Sequence, residues 1–462
     1  MRVERDSMGE VEIPDDALWG AQTQRAEENF PISGRRFSRN FIRALGQVKK
    51  ACCQANLELG LIEEEKAQAI LQASDEVIAG KWDEHFPLDI FQTGSGTSTN
   101  MNANEVIANR AIQLMGGEIG SRSPVHPNDN VNLSQSSNDV IPTTIHIALI
   151  LAVHENLLPA LSKLEHSLQK KETAFADIVK TGRTHLQDAT PIRLGQEFGG
   201  YAAQTAKSIQ KAQQAIDLLR EIPLGGTAVG TGLNRPRDFP ATAIEFLNQN
   251  LDIQFEETDN HIEANAARDD LVAVSGLIKT IAVSMTKIAN DIRWMGSGPR
   301  SGLGELDLPV VQPGSSIMPG KNNPVIAESL IQVAAYVIGS DQIVTQAGLG
   351  GYFELNLMMP LMSHSLMTSV VWLSRAVENF SERCVMGIEA NRDKMAQDIE
   401  NNLSLVTALA PVIGYDQAAK ISKEAFRSGR TIREVAEEMT GLSSQTLDDA
   451  LDPGGMTEPD EA

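Results

Sequence analysis

The sequence predicts a mainly α-helical protein built around a bundle of long helices, and three features carry this prediction. Hydrophobic residues make up 42% of the 462-residue chain and aromatic residues only 5%, a balance that favours aliphatic packing between helices over aromatic-rich sheets. Proline, which breaks helix interiors, is absent from residues 192–222, 241–298, 325–359 and 361–410. Within the second interval, apolar residues recur at alternating spacings of three and four, as in a coiled-coil seam. The seam consists of Leu271, Val274, Ile278, Ile281, Met285, Ile288, Ile292 and Met295.

Two further helices are predicted on either side of the seam helix. Apolar residues repeat at the same spacings over residues 157–168 and again over residues 366–380. Asp269 and Asp270 suit the first turn of the seam helix, and Gly296 suits its end. At ~1.5 Å per residue that helix would be roughly 40 Å long, so it needs long neighbours.

These patterns predict three domains. Residues 139–394 would form the long-helix bundle, since helices of this length bury their apolar faces best against one another. A mixed, mostly helical N-terminal domain would occupy residues 1–138. A small helical domain with an acidic, solvated tail would occupy residues 395–462.

The charge of the chain restricts its partners. The formal net charge is −22, so the surface should repel nucleic-acid backbones and anionic membranes. We therefore expect no nucleic acid and no membrane as partners. An anionic substrate would also be repelled, so a site for one must be locally positive.

The cysteines predict neither disulfides nor a metal centre. Cys52 and Cys53 are adjacent and Cys384 is distant, a spacing that fits no disulfide framework and no zinc or iron–sulfur ligand pattern. We expect reduced thiols, no metal and no cofactor. The first residues are acidic without an apolar stretch, and no segment has eighteen uninterrupted apolar residues, so a cytoplasmic location is expected.

Four polar segments interrupt the helical pattern, and each is rich in glycine, hydroxyl or amide residues. They span residues 94–102, 126–139, 182–191 and 314–324. Such residues commonly cap a following helix, and Thr190-Pro191 and Asn323-Pro324 have the form of a cap followed by a first-turn proline. Helix N-termini also offer N–H donors and a partial positive charge, so several converging on one cleft could hold a dianion.

The segments SGTSTNMN, HPNDNVN with SQSSND, GRTHLQDATP, GGTAVGTGLN and GSSIMPGKNNP, in this order, closely resemble the fumarase/aspartase superfamily and, within it, the class II fumarases. The resemblance covers nearly the whole chain. It implies a three-domain fold, a homotetramer around a central helical bundle, and active sites lined by segments from three subunits. The implied reaction is the reversible, metal-independent hydration of fumarate to L-malate through an aci-carboxylate, a step of the tricarboxylic acid cycle.

The resemblance also assigns the site residues. Ser315 would be the base, on a glycine-bounded loop, and its alkoxide would need nearby backbone N–H groups and Lys321. His185 would act through a water at the hydroxyl side, oriented by Glu328. Substrate binding falls to Ser95, Gly96, Thr97, Ser136, Ser137, Asn138, Thr184, Ser316, Lys321 and Asn323. A second anion site matches His126, Pro127, Asn128 and Asp129.

Three alternatives remain open at this stage. Aspartate ammonia-lyase uses the same scaffold, although aspartases usually have Gln at the position of His185. A catalytically inactive helical oligomer is the second, and the joint presence of the catalytic residues argues against it. Nucleotide binding by the glycines of residues 225–232 is the third, but this cluster lacks both the Lys-Ser/Thr ending and the dinucleotide spacing.

Overall fold

The computed structural model describes residues 1–459 and is mainly α-helical, as the sequence predicts. The last three residues of the predicted acidic tail lie outside the described residues. The α-helices are α1 (Ala21–Asn29), α2 (Arg39–Glu58), α3 (Glu64–Ile78), α4 (Thr97–Leu114), α5 (Ser137–Ala152), α6 (Leu158–Ala174), α7 (Leu194–Leu218), α8 (Phe239–Leu251), α9 (His261–Ala266), α10 (Asp269–Met295), α11 (Val325–Gly348), α12 (Met359–Arg383), α13 (Arg392–Glu400), α14 (Ala410–Ile413), α15 (Tyr415–Ser428), α16 (Ile432–Thr440) and α17 (Ser444–Ala450).

The strands are short and form two-stranded ribbons. They are β1 (Arg2–Asp6), β2 (Gly9–Ile13), β3 (Val179–Thr184), β4 (Gln187–Arg193), β5 (Glu221–Ile222), β6 (Glu256–Glu257), β7 (Leu306–Asp307), β8 (Gly351–Tyr352), β9 (Leu355–Asn356) and β10 (Glu389–Ala390). The antiparallel pairs are β1–β2, β3–β4, β7–β10 and β8–β9, and β5–β6 is parallel.

The long-helix predictions are confirmed. Helix α10 begins at Asp269 and ends at Met295, directly before Gly296, and every residue of the predicted seam is buried. The apolar repeat within residues 366–380 lies on α12 and is also buried. One π-helical turn, Val153–Leu157, joins α5 to α6, so residues 137–174 form a continuous helical stretch.

One local prediction is wrong. Thr190 and Pro191 do not cap a helix but lie in strand β4, and the whole segment 182–191 belongs to the β3–β4 hairpin. Pro191 is tolerated because both strands of a two-stranded ribbon are edge strands. Each edge strand has one row of backbone groups that faces solvent, and a missing N–H in that row leaves no neighbouring strand unpaired. Helix α7 begins three residues later, at Leu194.

The chain divides into two compact units, each assembled from separate stretches. The first comprises Met1–Pro159, Gln210–Ala282 and Ala334–Ser374, and the second comprises Ala160–Ile209, Val283–Val333 and the chain from Arg375 onward. The three-domain boundaries stay a prediction.

Within each unit, side-chain contacts join the long helices. In the first unit, the Ser275 hydroxyl donates to Asp341 at 2.8 Å between α10 and α11. In the second unit, the Tyr201 hydroxyl donates to Asp291 at 3.1 Å between α7 and α10. Polar pairs inside a helical interface align one helix along the other, because a slip by one turn would leave a buried group unpaired.

Two helical stretches are apolar and long enough to cross a membrane by length and composition alone, namely Ser137–Ala174 and Asp269–Met295. The most apolar part of the first is 72% buried within the chain, as expected of a core helix, but that of the second is only 44% buried. Helix α10 therefore leaves apolar surface uncovered in the single chain, including Val283 and Trp294.

Candidate active site

In the first unit, two helix N-termini meet through hydroxyl groups. Helix α4 begins at Thr97 after Gly96, whose φ of 73° is the left-handed conformation that glycine adopts without strain. Helix α5 begins at Ser137. The Ser95 and Thr97 hydroxyls lie 2.7 Å apart, and those of Thr97 and Ser137 lie 2.8 Å apart. The structure thus brings together predicted binding residues that are 40 positions apart in the chain.

The start of α5 is clamped to the glycine-rich loop of residues 225–232. Asp139 accepts hydrogen bonds from the backbone N–H groups of Ser136, Gly225 and Thr227 at 2.9–3.0 Å, and Asn138 Nδ2 donates to the Ala228 carbonyl at 2.7 Å. Burial raises the pKa of Asp139, while these donors act in the opposite direction. The glycine loop is therefore a structural support for the predicted substrate-binding segment at the start of α5.

The predicted second anion site forms a π-helical turn, Pro127–Val131, capped by His126. His126 Nδ1 accepts from the backbone N–H groups of Asn128 and Asp129, both at 3.2 Å. His126 Nδ1 also lies 3.3 Å from Asp129 Oδ2. Asn128 and Asp129 are exposed.

Beneath this turn lies Lys49, which sequence reasoning missed. Its fully buried ammonium donates to Asn132 Oδ1 at 3.0 Å and Gln135 Oε1 at 2.9 Å. Burial lowers the pKa of Lys49 to about 7. Lys49 thereby joins Asn132, the residue after the π-helical turn, to Gln135, which directly precedes the predicted binding residue Ser136. Nothing in the local pattern of α2 marks it, because a lysine on a helix is ordinarily exposed.

In the second unit, His185 lies at the tip of the β3–β4 hairpin. Thr184 pairs with Gln187, so His185 and Leu186 are the two central residues of the turn. Their φ angles are 58° and 61°, a combination that Asn-Gly usually supplies in such hairpins. A non-glycine pair in this conformation is strained and persists only where the flanking structure imposes it. Thr184 and His185 are exposed in the chain.

The Ser315 loop has the donors that an activated serine needs. Ser315 Oγ accepts from the backbone N–H groups of Ile317 at 3.3 Å and Met318 at 3.0 Å. Asn323 Nδ2 closes the loop by donating to the Gly314 carbonyl at 2.7 Å. A Cβ at Gly314 would lie only 2.1 Å from the Lys321 carbonyl oxygen, so no larger residue fits there.

The charged groups near this loop are not paired with one another. Ser316 and Lys321 are exposed, and within residues 1–459 no carboxylate lies within 4.0 Å of the Lys321 ammonium. Glu328 is half-buried in the first turn of α11. In the same part of the chain, no hydrogen bond or ion pair joins Glu328 to His185, so their pairing stays a prediction.

Neither the cysteines nor other side chains of the described residues are arranged as a metal centre. Cys52, Cys53 and Cys384 are buried thiols without disulfides, and burial raises the pKa of Cys53 and of Cys384 to about 12. Among the described residues, no group of three or more His, Cys, Asp or Glu is arranged to hold a metal ion.

Comparison with known proteins identifies the family. A lyase family model matches residues 9–339, and a fumarase C C-terminus model matches residues 405–458. Fumarate hydratase class II of Halobacterium salinarum is 53% identical over 99% of this chain and 97% of its own length.

Solved structures agree with this assignment. The class II fumarase of Schistosoma mansoni superposes with a TM-score of 0.96 at 37% identity, over 99% of both chains. A fumarate lyase of Brucella melitensis superposes with the same TM-score at 47% identity, over 99% of this chain and 100% of its own. The chain belongs to the lyase family of these proteins and, within it, to the class II fumarate hydratases.

Proposed function

We propose that this protein is a fumarate hydratase, a metal-independent hydro-lyase that interconverts fumarate and L-malate in the tricarboxylic acid cycle. The observation that carries the proposal is the pair of backbone N–H groups directed at Ser315 Oγ. The base is the serine alkoxide, and a serine hydroxyl is too weakly acidic to form it unless the negative charge is stabilised. Oriented N–H donors supply that stabilisation.

Each catalytic group has one task. In the malate-to-fumarate direction, the Ser315 alkoxide removes the proton from the carbon beside one carboxylate, which becomes an aci-carboxylate. His185, through a water, then protonates the departing hydroxyl, which leaves as water while the double bond forms. Glu328 orients the imidazole and favours its protonated form. Hydration of fumarate follows the same steps in reverse.

Substrate binding uses helix dipoles and one full positive charge. The hydroxyls of Ser95, Thr97 and Ser137 lie at helix N-termini, which favour negative charge. Lys321 supplies a full positive charge, which an acidic protein needs at a dicarboxylate site. The other proposed binding residues are Gly96, Ser136, Asn138, Thr184, Ser316 and Asn323. The turn formed by His126, Pro127, Asn128 and Asp129 is the proposed second anion site.

We further propose a homotetramer whose active sites each draw on three subunits, located in the cytoplasm, with no nucleic-acid or membrane partner. Support for the shared active sites comes from proposed site residues that are exposed in the single chain, namely Thr184, His185, Ser316 and Lys321. A catalytic site must exclude water, so another subunit would have to cover them. Apolar side chains of the long helices are exposed too: Val283 is 53%, Trp294 49%, Ile338 38% and Ile343 42% exposed.

Mixing two inactive variants tests the shared site. If Ser315→Ala and His185→Asn subunits are unfolded and refolded together, some sites receive both intact residues, so activity should reappear. Each variant refolded alone is the control and should stay inactive. Absence of any recovery in verified mixed tetramers would refute sharing of these residues between subunits.

The activity itself is tested by incubating purified protein with L-malate and with L-aspartate and following the ultraviolet absorbance of fumarate. We expect fumarate from malate only. Ser315→Ala is the control for contaminating activity. Fumarate formed from aspartate but not from malate would refute the proposal in favour of an ammonia-lyase.

A further inference from the structure

A cluster of four charged side chains lies beneath the His185 hairpin in the second unit. Glu305 is fully buried, and its Oε1 accepts from Arg183 Nη1 at 2.8 Å. Its Oε2 lies 3.3 Å from the buried ammonium of Lys180, without hydrogen-bond geometry. Lys180 in turn donates to Glu197 at 3.0 Å. Two of the four residues, Lys180 and Arg183, belong to strand β3, which leads directly into the turn.

We propose that Glu305 is a positioning residue for His185 and that it acts through Arg183. The inference rests on the proposed function, because it assigns His185 the catalytic role given above. Glu305 touches neither the imidazole nor the bound substrate in this scheme.

The backbone of the His185 turn is strained. His185 and Leu186 both have left-handed backbone conformations, which non-glycine residues keep only if the flanking strands impose them. Strand β4 is tied on its side by Asn402 Nδ2, which donates to the Ala189 carbonyl at 2.7 Å. Strand β3 is tied at the corresponding point by the Arg183–Glu305 contact. Arg183 is two residues before His185, so a shift of its side chain is transmitted directly to the turn.

Glu305 cannot follow Arg183 if the hairpin moves, because its own backbone is held in place. Its backbone N–H donates to the Met295 carbonyl at the end of α10, and its carbonyl accepts from the Asn391 N–H, both at 2.9 Å. The next residue begins β7, which pairs with β10. The carboxylate is therefore a fixed anchor, and Arg183 is the adjustable partner.

The contacts beneath the hairpin join charged side chains rather than apolar ones. Burying an ion pair contributes little net stability compared with apolar side chains of similar size, because both charges lose their hydration. A directional contact does fix the position of a side chain, which apolar contacts do less well. A buried charge cluster at the base of a strained catalytic turn is thus better explained by positioning than by stability.

The test compares Glu305→Gln with wild type in the fumarate assay. The amide of Glu305→Gln keeps one acceptor oxygen but lacks the charge, and it sets an NH2 group against the Lys180 ammonium. This change should weaken the anchor and lower kcat about 10- to 100-fold, the effect of a misplacement of roughly 1 Å. The KM should change less than kcat, since Thr184 is the only proposed binding residue in the hairpin. The pH profile of kcat/KM should also change, because the imidazole environment is altered.

Arg183 variants test the same contact from the other side. Arg183→Met should reproduce the loss. Arg183→Lys should restore kcat to within about threefold of wild type, because the observed contact uses a single N–H donor that an ammonium can replace. If Glu305→Gln fails to fold, the comparison of Arg183→Lys with Arg183→Met decides whether the proposal holds. Equal impairment of Arg183→Lys and Arg183→Met would overturn it.

Asp177→Asn is the matched control. Asp177 pairs with Arg392 at 2.8 Å in the same unit, but both side chains are well exposed, so its loss should leave kcat unchanged. Hydrogen exchange of residues 183–188 gives a readout that does not require the proposed activity. Exchange should become faster in Glu305→Gln and Arg183→Met but not in Asp177→Asn.

The outcomes separate the two proposals. Wild-type protein without activity on malate refutes the proposed function, and unchanged exchange in Glu305→Gln refutes the anchoring. Active wild type with a Glu305→Gln variant of unchanged kcat and pH profile overturns the positioning role, even if exchange becomes faster.

Discussion

Replacing the buried Lys49 with methionine should change how the stability of the protein depends on pH. Lys49 is fully buried, and burial lowers its pKa from 10.5 to about 7, while the nearby Cys52 and Asp139 act in the opposite direction. Between these two values the unfolded chain binds a proton at this lysine that the folded protein does not. The free energy of unfolding therefore rises with pH across this window, and the contribution of Lys49 is least favourable below pH 7.

The magnitude follows from the shift. Integrating the difference in bound protons from pH 6.5 to pH 8.5, with folded and unfolded pKa values of about 7 and 10.5, yields a gain of roughly 2 kcal/mol. Over the whole window up to pH 10.5 the gain reaches about 4 kcal/mol. Lys49→Met cannot titrate and should lack this gain.

Urea unfolding at pH 6.5 and pH 8.5 measures the effect. The stability difference between wild type and Lys49→Met should shift by roughly 2 kcal/mol in favour of wild type at the higher pH. Lys50→Met is the matched control on the same helix, because Lys50 pairs with Asp75 at the surface and should show no such shift. Parallel pH dependence in wild type and Lys49→Met would refute the reasoning.

Four further predictions concern the proposed catalysis. Ser315→Ala and His185→Asn should each lower kcat by roughly 10²- to 10⁴-fold with unchanged circular dichroism, and unchanged turnover in either would remove that residue from the mechanism. Glu328→Gln should move the His185 limb of the pH profile of kcat/KM to lower pH, because an imidazolium loses a neighbouring negative charge; an unmoved limb would show that the two are not coupled. Lys321→Met should lower kcat/KM by about 30- to several-thousand-fold, equivalent to roughly 2 to 5 kcal/mol. Salt should not restore it, since a contact inside a closed site is screened little, and a loss below about threefold, or one that salt abolishes, would rule out direct contact with a carboxylate. Full activity should survive a chelator, and a loss reversed by added iron would contradict the metal-independent mechanism.

The sequence by itself determined the helical architecture and the segments that carry the chemistry. Apolar periodicity depends only on neighbours within a few turns, so the helix that carries the seam could be predicted from the sequence. Its predicted first turn at Asp269 and Asp270 and its predicted end at Gly296 agree with the observed helix. The motif around Ser315 could also be recognised from the sequence alone. Even the expected N–H donors for its hydroxyl come from residues two and three positions along the chain.

Only the tertiary structure decided which polar residues support those segments. Lys49 donates to Asn132, 83 positions away, and Arg183 donates to Glu305, 122 positions away. The β3–β4 hairpin replaced a predicted helix cap, because strand pairing outweighed the local preference of Thr190-Pro191. Periodicity is a property of consecutive residues, whereas the burial and pairing of a charge depend on which distant segments the fold brings into contact.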